Sequence, residues 1–135
     1  LNDGKVDRRG RFIAGYMSYD HDREDATRGQ RPVRNSTLYR LDPDLSVHRL
    51  DAGIKCSNGP CWSPDDKTFY FCDSYDKVMY AYDYDIDTGA VSNRRIFASC
   101  KDYPGTFDGS TVDSEGYIWN AHVFGGRIFR VRYGG

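Results

Sequence analysis

Apolar and polar residues alternate with a period of two along most of this chain, in short runs separated by turn-forming clusters. The alternation predicts strands over Lys5–Asp7, Arg11–Met17, Thr37–Leu41, Ser46–Leu50, Thr68–Cys72, Lys77–Asp85, Ala90–Ala98, Tyr117–His122 and Arg127–Tyr133. Lys77–Asp85 is the clearest run: Val78, Tyr80, Tyr82 and Tyr84 share one face, and Met79 and Ala81 the other. Turns are expected at Arg8-Arg9-Gly10, Asp42-Pro43-Asp44, Ser63-Pro64-Asp65-Asp66, Asp87-Thr88-Gly89 and Phe124-Gly125-Gly126. No stretch carries an amphipathic helical period. Ser18 to Ser36 is polar, charged and aperiodic, and reads as a long inserted loop, a lid or a disordered segment.

The pattern repeats. Asn2 to Gly15, Lys55 to Ser74 and Phe107 to Ala121 each open on a carboxamide or carboxylate next to Gly. Each continues through a small or apolar run and a polar turn into an alternating strand. The copies begin about fifty residues apart, a spacing in the range of propeller blades. The expected fold is all-β, about three blades of a six-bladed β-propeller, in one domain over residues 1–135 with a polar loop at 20–36. The innermost strand of each blade runs beside the central channel. Asn2, Asn58 and Asp108, equivalent in the three copies, would then meet at one rim of that channel.

Composition narrows the class. Eleven Tyr, seven Phe and fourteen Gly favour strands and tight turns. A net charge of −1 gives no reason to expect nucleic acid or an anionic membrane as partner. No apolar run is long enough for a spanning helix and no signal peptide opens the chain, so the expected setting is cytoplasmic. Cys56, Cys61, Cys72 and Cys100 match no common zinc spacing and are expected as buried, reduced, small apolar residues. The chain opens and stops within the repeat, which reads as a segment of a longer protein whose other blades complete the ring.

The candidate chemistry is oxygen ligation. Asn58 offers an amide oxygen and Asp108 a carboxylate, donors that suit a hard divalent cation with open positions for water or substrate. Such a cation polarises an ester carbonyl or lowers the pKa of bound water, and Asp108 is a candidate general base. Against this stands the turn reading, because Asn-Gly and Asp-Gly are also the strongest short hairpin dipeptides. His122 shares a face with Ile118 and Asn120 and reads as a core or rim histidine. Trp62 and Trp119 read as repeated core residues; His21 and His48 carry no assigned role. No Gly-x-Ser-x-Gly, phosphate loop or dinucleotide fingerprint is present.

Four pieces, NDGKVDRRGRFIAGYM, SNGPCWSPDDKTFYFCDS, YAYDYDIDTGAVSNRR and FDGSTVDSEGYIWNAHVFGGRIFRV, resemble in content and order the sugar-lactonase family of gluconolactonases, arabinolactonases, xylonolactonases and regucalcin (senescence marker protein). The stretch FDGSTVDSEGYIWNA looks more like the bacterial lactonases than the animal protein. The resemblance implies a six-bladed propeller with one divalent cation (Ca, Zn, Mn, Mg or Fe) held by a Glu, an Asn and an Asp. The Asn falls on Asn58 and the Asp on Asp108; the Glu has no counterpart here. The family's substrate-contacting Arg-x-Asn places its Asn on Asn2, and a further acidic substrate contact falls near Asp20. Asp108 would also activate the attacking water. The implied substrate is a small sugar-acid lactone, opened to the aldonic acid. A calcium-binding regulatory propeller without catalysis and a non-catalytic binding propeller are the alternatives.

Overall fold

A computed structural model describes residues 1–17 and 36–132. Within them the chain is all-β, with no helix, in three antiparallel sheets. The first sheet has the order β1 (Asp3–Val6), β2 (Phe12–Gly15), β3 (Ser36–Leu41), β4 (Val47–Ile54). The second runs β5 (Ser57–Trp62), β6 (Thr68–Asp73), β7 (Val78–Asp85), β8 (Ala90–Ser99). The third holds β9 (Thr106–Val112), β10 (Ile118–Val123) and β11 (Arg127–Val131). Each strand pairs with its neighbour in sequence, so every sheet is an up-and-down meander. Ser36, expected at the end of the loop, is instead the buried first residue of β3, its hydroxyl donating to the Tyr16 carbonyl.

The repeat is visible in the first turn of each sheet. The amides of Asp7, Ser63 and Asp113 donate to the carbonyls of Arg11, Thr68 and Tyr117 at 2.9 Å. The side-chain oxygen of the same residue caps the turn: Asp7 Oδ1 accepts from the Arg9 and Arg11 amides, Asp113 Oδ1 from Glu115 and Tyr117, and Ser63 Oγ from Thr68. Short polar side chains that bond their own turn make these hairpins locally determined.

The second sheet is covered on both faces. The face of β7 carrying Val78, Tyr80, Tyr82 and Tyr84 packs with Trp62, Phe69 and Phe71 against Ile13, Leu38 and Ile54 of the first sheet. The opposite face, Met79 and Ala81 with Cys61, Tyr70 and Cys72, packs against Phe107 and Ile118 of the third. A strand buried on both sides needs apolar residues at every position, which is what β7 carries up to Tyr82. The outer strands β4 and β8 are charged and join their sheets through bulges, features that discourage edge pairing.

The four cysteines are free and buried, as expected. Burial pushes their thiols up, Cys61 to about 12, so they behave as neutral packing groups. The tryptophans are not equivalent. Trp62 ends β5 just before a turn and is buried against Phe69 and Tyr84. Trp119 follows its turn on β10, points outward with 41 % of its surface exposed, and donates to Asp113. Strand alternation from Ile118 puts Asn120 and His122 inward and Trp119 outward, so the paired-core expectation fails for Trp119.

Candidate functional site

The inner strands β1, β5 and β9 lie side by side with β5 in the middle. Direct bonds join them: the Gly59 amide donates to Asp3 Oδ2 at 2.8 Å, and Lys5 Nζ reaches across to the Ser110 carbonyl at 2.8 Å. Counting five positions back from the turn residues Asp7, Ser63 and Asp113 gives Asn2, just before β1, and Asn58 and Asp108, near the starts of β5 and β9. All three line a single cavity of about 480 Å³, together with Met17, Cys56, Ser74, Tyr75, Lys77, Gly105, Thr106, Val123 and Phe124.

Asn58-Gly59 and Asp108-Gly109 are not hairpin turns. Both dipeptides sit inside strands, beside breaks in register: between Asn58 and Cys61 in β5, and opposite Asn120–His122 in β9. A bulge bends the strand and re-aims its side chains. Gly59 makes the first bulge possible, since its φ is +59° and a Cβ there would stand 2.4 Å from Ser110 Oγ and 2.7 Å from the Asp108 carbonyl oxygen. Asn120 secures the second. Fully buried on β10, its Nδ2 donates to the Asp108 carbonyl at 2.9 Å and to Ser110 Oγ at 2.8 Å, replacing ladder bonds that the bulge removes.

The site's side chains are joined in one chain of hydrogen bonds. Asn2 Nδ2 donates to the Ser57 carbonyl at 2.8 Å and to Asn58 Oδ1 at 3.1 Å. Asn58 Nδ2 donates to Ser74 Oγ at 2.7 Å, and Ser74 Oγ donates to the Phe107 carbonyl at 2.7 Å. Neighbouring Asp73 is wholly buried and accepts from the Lys55 and Cys56 amides at 2.9 and 3.2 Å, fixing the entry to β5; burial raises its carboxyl above the ordinary range. The half-buried Asp108 carboxylate makes no hydrogen bond or ion pair among the described residues and lines the cavity as a free acceptor.

His122 is not at the cavity. It is buried, its Nε2 lies 2.8 Å from the Pro104 carbonyl, and its ring packs edge-on against Phe107 and Phe129, so the core reading holds. Asp20 lies outside the described residues. Sequence alone does not single out Ser74 and Asn120, whose roles depend on register across sheets, nor Phe124, Tyr75 and Met17, which carry no signal beyond turn or strand residue types.

The comparisons with known proteins bear on this arrangement. The family model described as "SMP-30/Gluconolactonase/LRE-like region" matches residues 1–135. The chain belongs to that family. Among SMP-30/gluconolactonase/LRE-like relatives, regucalcin of Danio rerio is 43 % identical over 132 residues and that of Xenopus laevis 42 % over 131, each covering 97 % of this chain. The chain spans 42 % of the length of these relatives. Of the solved structures, a luciferin-regenerating enzyme superposes with a TM-score of 0.83 at 36 % identity, over 96 % of this chain and 41 % of its own. A regucalcin from Agrobacterium tumefaciens, described as a calcium-binding protein, gives 0.75 at 28 %, over 99 % and 45 %. A gluconolactonase from Xanthomonas campestris gives 0.64 at 25 %, over 98 % and 48 %. Over the whole chain, identity is higher to these animal regucalcins than to either of these two bacterial structures.

Proposed function

We propose that this chain is a segment of a divalent-cation-dependent lactonase that opens a sugar-acid lactone to the aldonic acid, its three sheets being three blades of a six-bladed propeller. The observation that carries the reading is the meeting of Asn2, Asn58 and Asp108 at one cavity, the first beside β1 of the first sheet and the others in β5 and β9 of the second and third. The donor set fits a hard cation. Asn58 presents an amide oxygen with a second lone pair beyond the one that Asn2 engages, and Asp108 a carboxylate with no partner among the described residues. Asn58 and Asp108 would hold the cation, with further ligands from the rest of the protein. Bound there, a divalent cation supplies Lewis-acid polarisation of the lactone carbonyl.

This chain's residues have distinct tasks. Asn2, tied to the Ser57 carbonyl, is placed to meet a sugar hydroxyl at the cavity wall. The Asp108 carboxylate takes a proton from the attacking water as its oxygen bonds to the carbonyl carbon; the proton passes to the ring oxygen as the ring C–O bond breaks. Tyr75, Phe124 and Met17 give the cavity apolar walls against which the carbon face of a sugar ring packs.

The test is an assay on the full-length protein with gluconolactone and pentonolactones. We expect activity that chelation abolishes and a divalent ion restores, and a loss of about 10²-fold or more in kcat for Asp108→Ala. Undiminished turnover by that variant would sink the chemistry. A second reading, calcium binding without catalysis, is favoured by the description of the Agrobacterium relative as calcium-binding. It predicts that Ca²⁺ binds while no lactone is opened.

A further inference from the structure

We propose that Ser74 is a positioning residue that decides which atom of Asn58 faces the cavity. The inference rests on the reading of Asn58 as a cation ligand. It starts from an ambiguity built into every asparagine: the amide presents an oxygen on one side and an NH₂ on the other, and only the oxygen ligates a cation. A rotation of the amide by a half-turn would replace the ligand with two donors and abolish the site without moving an atom of the backbone.

Two backbone carbonyls determine the outcome here. The Phe107 carbonyl accepts only, so the proton in the 2.7 Å bond between it and Ser74 belongs to Ser74 Oγ. Having given its one proton away, Ser74 Oγ meets Asn58 as an acceptor, and the atom 2.7 Å from it is the Asn58 NH₂. The Ser57 carbonyl likewise accepts only, which fixes Nδ2 of Asn2 towards it at 2.8 Å and makes that nitrogen the donor to Asn58 Oδ1 at 3.1 Å. Read from both ends, the chain has one direction: it sends the Asn58 NH₂ to Ser74 and turns the Asn58 oxygen to the side of Asn2, where a second lone pair is left for a cation in the cavity that all three residues line.

Ser74 is the stronger of the two anchors. It is buried to 3 % exposure, whereas Asn2 is exposed, and its bond to Asn58 is the shorter. Its backbone is pinned as well, by the amide bond to the Cys56 carbonyl at 3.0 Å and by the Thr106 hydroxyl on its own carbonyl. The hydroxyl stands in the β6–β7 connection of the second sheet and bonds the start of β9 in the third, so one side chain ties the Asn58 amide to the strand that carries Asp108.

The experiment is a titration of Ca²⁺ into the full-length protein by calorimetry, with thermal stability recorded for each variant. Ser74→Ala is expected to weaken Ca²⁺ binding by about 10- to 100-fold, as expected for loss of a partner that orients a ligand, and Ser74→Thr, which keeps the hydroxyl, to restore it. Ser74→Cys, close in size but a poor hydrogen-bonding group, should lose affinity in the same direction, and serves if the alanine variant does not fold. The deciding comparison is made in an Asn58→Asp background. A carboxylate has an oxygen on both sides and no wrong orientation, so Ser74→Ala should cost no affinity there. Equal losses in the two backgrounds would overturn the inference and leave Ser74 a packing residue. If the unaltered protein binds no Ca²⁺, or Asn58→Ala binds as tightly, the cation reading itself fails, an outcome distinct from the first.

Discussion

Phe124 is held at a φ of +61° with 91 % of its surface exposed. The left-handed region costs a non-glycine residue about 1–2 kcal/mol, and a side chain this exposed recovers almost none of that by burial. It is also the aromatic residue at the β10–β11 turn that lines the cavity. A strained, exposed aromatic at the mouth of a site is consistent with a ligand contact that offsets the cost. Phe124→Asn, which suits the left-handed region, should raise unfolding stability by about 0.5–1 kcal/mol, measured by denaturant titration. On the proposed lactonase reading, the same change in the full-length protein should raise KM while leaving kcat near its original value. A stability gain with KM unchanged would limit Phe124 to a turn residue.

The elements show why the sequence was legible in some places and not in others. The alternation in Lys77–Asp85 predicted both faces of β7, and each face packs where a period of two sends it. The three carboxyl or hydroxyl caps at Asp7, Ser63 and Asp113 lie within a few residues of the amides they bond, so the hairpins could be read locally. The meeting of Asn2, Asn58 and Asp108 was legible through the repeat, since equivalent positions in stacked meanders fall side by side. The bulges were not, because Asn-Gly and Asp-Gly carry the same signal for a hairpin and for a bulged strand, and only the approach of β9 to Gly59 separates the two. Nor was the outward turn of Trp119, which depends on where the strand register begins after the turn rather than on residue type. The bulge at Gly59 can be tested directly. Gly59→Ala places a Cβ at positive φ and 2.7 Å from the Asp108 carbonyl oxygen. A destabilisation of about 2–4 kcal/mol is expected from strain and overpacking together, read from the denaturation midpoint. On the proposed cation reading, affinity should fall with it, because the strand pushed away carries Asp108. Gly109→Ala, where a Cβ meets nothing within 4 Å, is the control and should cost far less.

At the scale of the whole molecule, a buried ion pair in the β1–β2 turn of the first sheet bonds to the second sheet, beside the core that the two sheets share. Arg11 Nε donates to Asp7 Oδ2 at 2.7 Å, with side-chain exposures of 7 % and 1 %, and the same carboxylate accepts from the Tyr84 hydroxyl of the second sheet. The guanidinium extends further, bonding the Ile86 and Asp87 carbonyls at the β7–β8 turn at 2.5 and 3.2 Å. Burial alone would raise the Asp7 carboxyl. The hydrogen bonds from Tyr84, Arg11 and the Arg9 amide outweigh it and hold the group below the ordinary carboxylate range. The same burial pushes the Tyr84 phenol up, so it stays a proton donor at any physiological pH. A depressed carboxyl stabilises the fold fully above its unfolded value of about 4. That contribution is lost as pH falls through the lower, folded value. Asp7→Asn should therefore cost about 3–5 kcal/mol near neutral pH, because it leaves the Arg11 charge buried without a counter-ion. The gap between variant and parent should begin to narrow as pH drops below about 4, where the unfolded chain takes up the proton first, and should close as pH falls through the lower folded value. Urea denaturation at pH 7 and at steps down to pH 3 would measure both. A gap that stays constant across that range would place the cost in packing rather than in the charge.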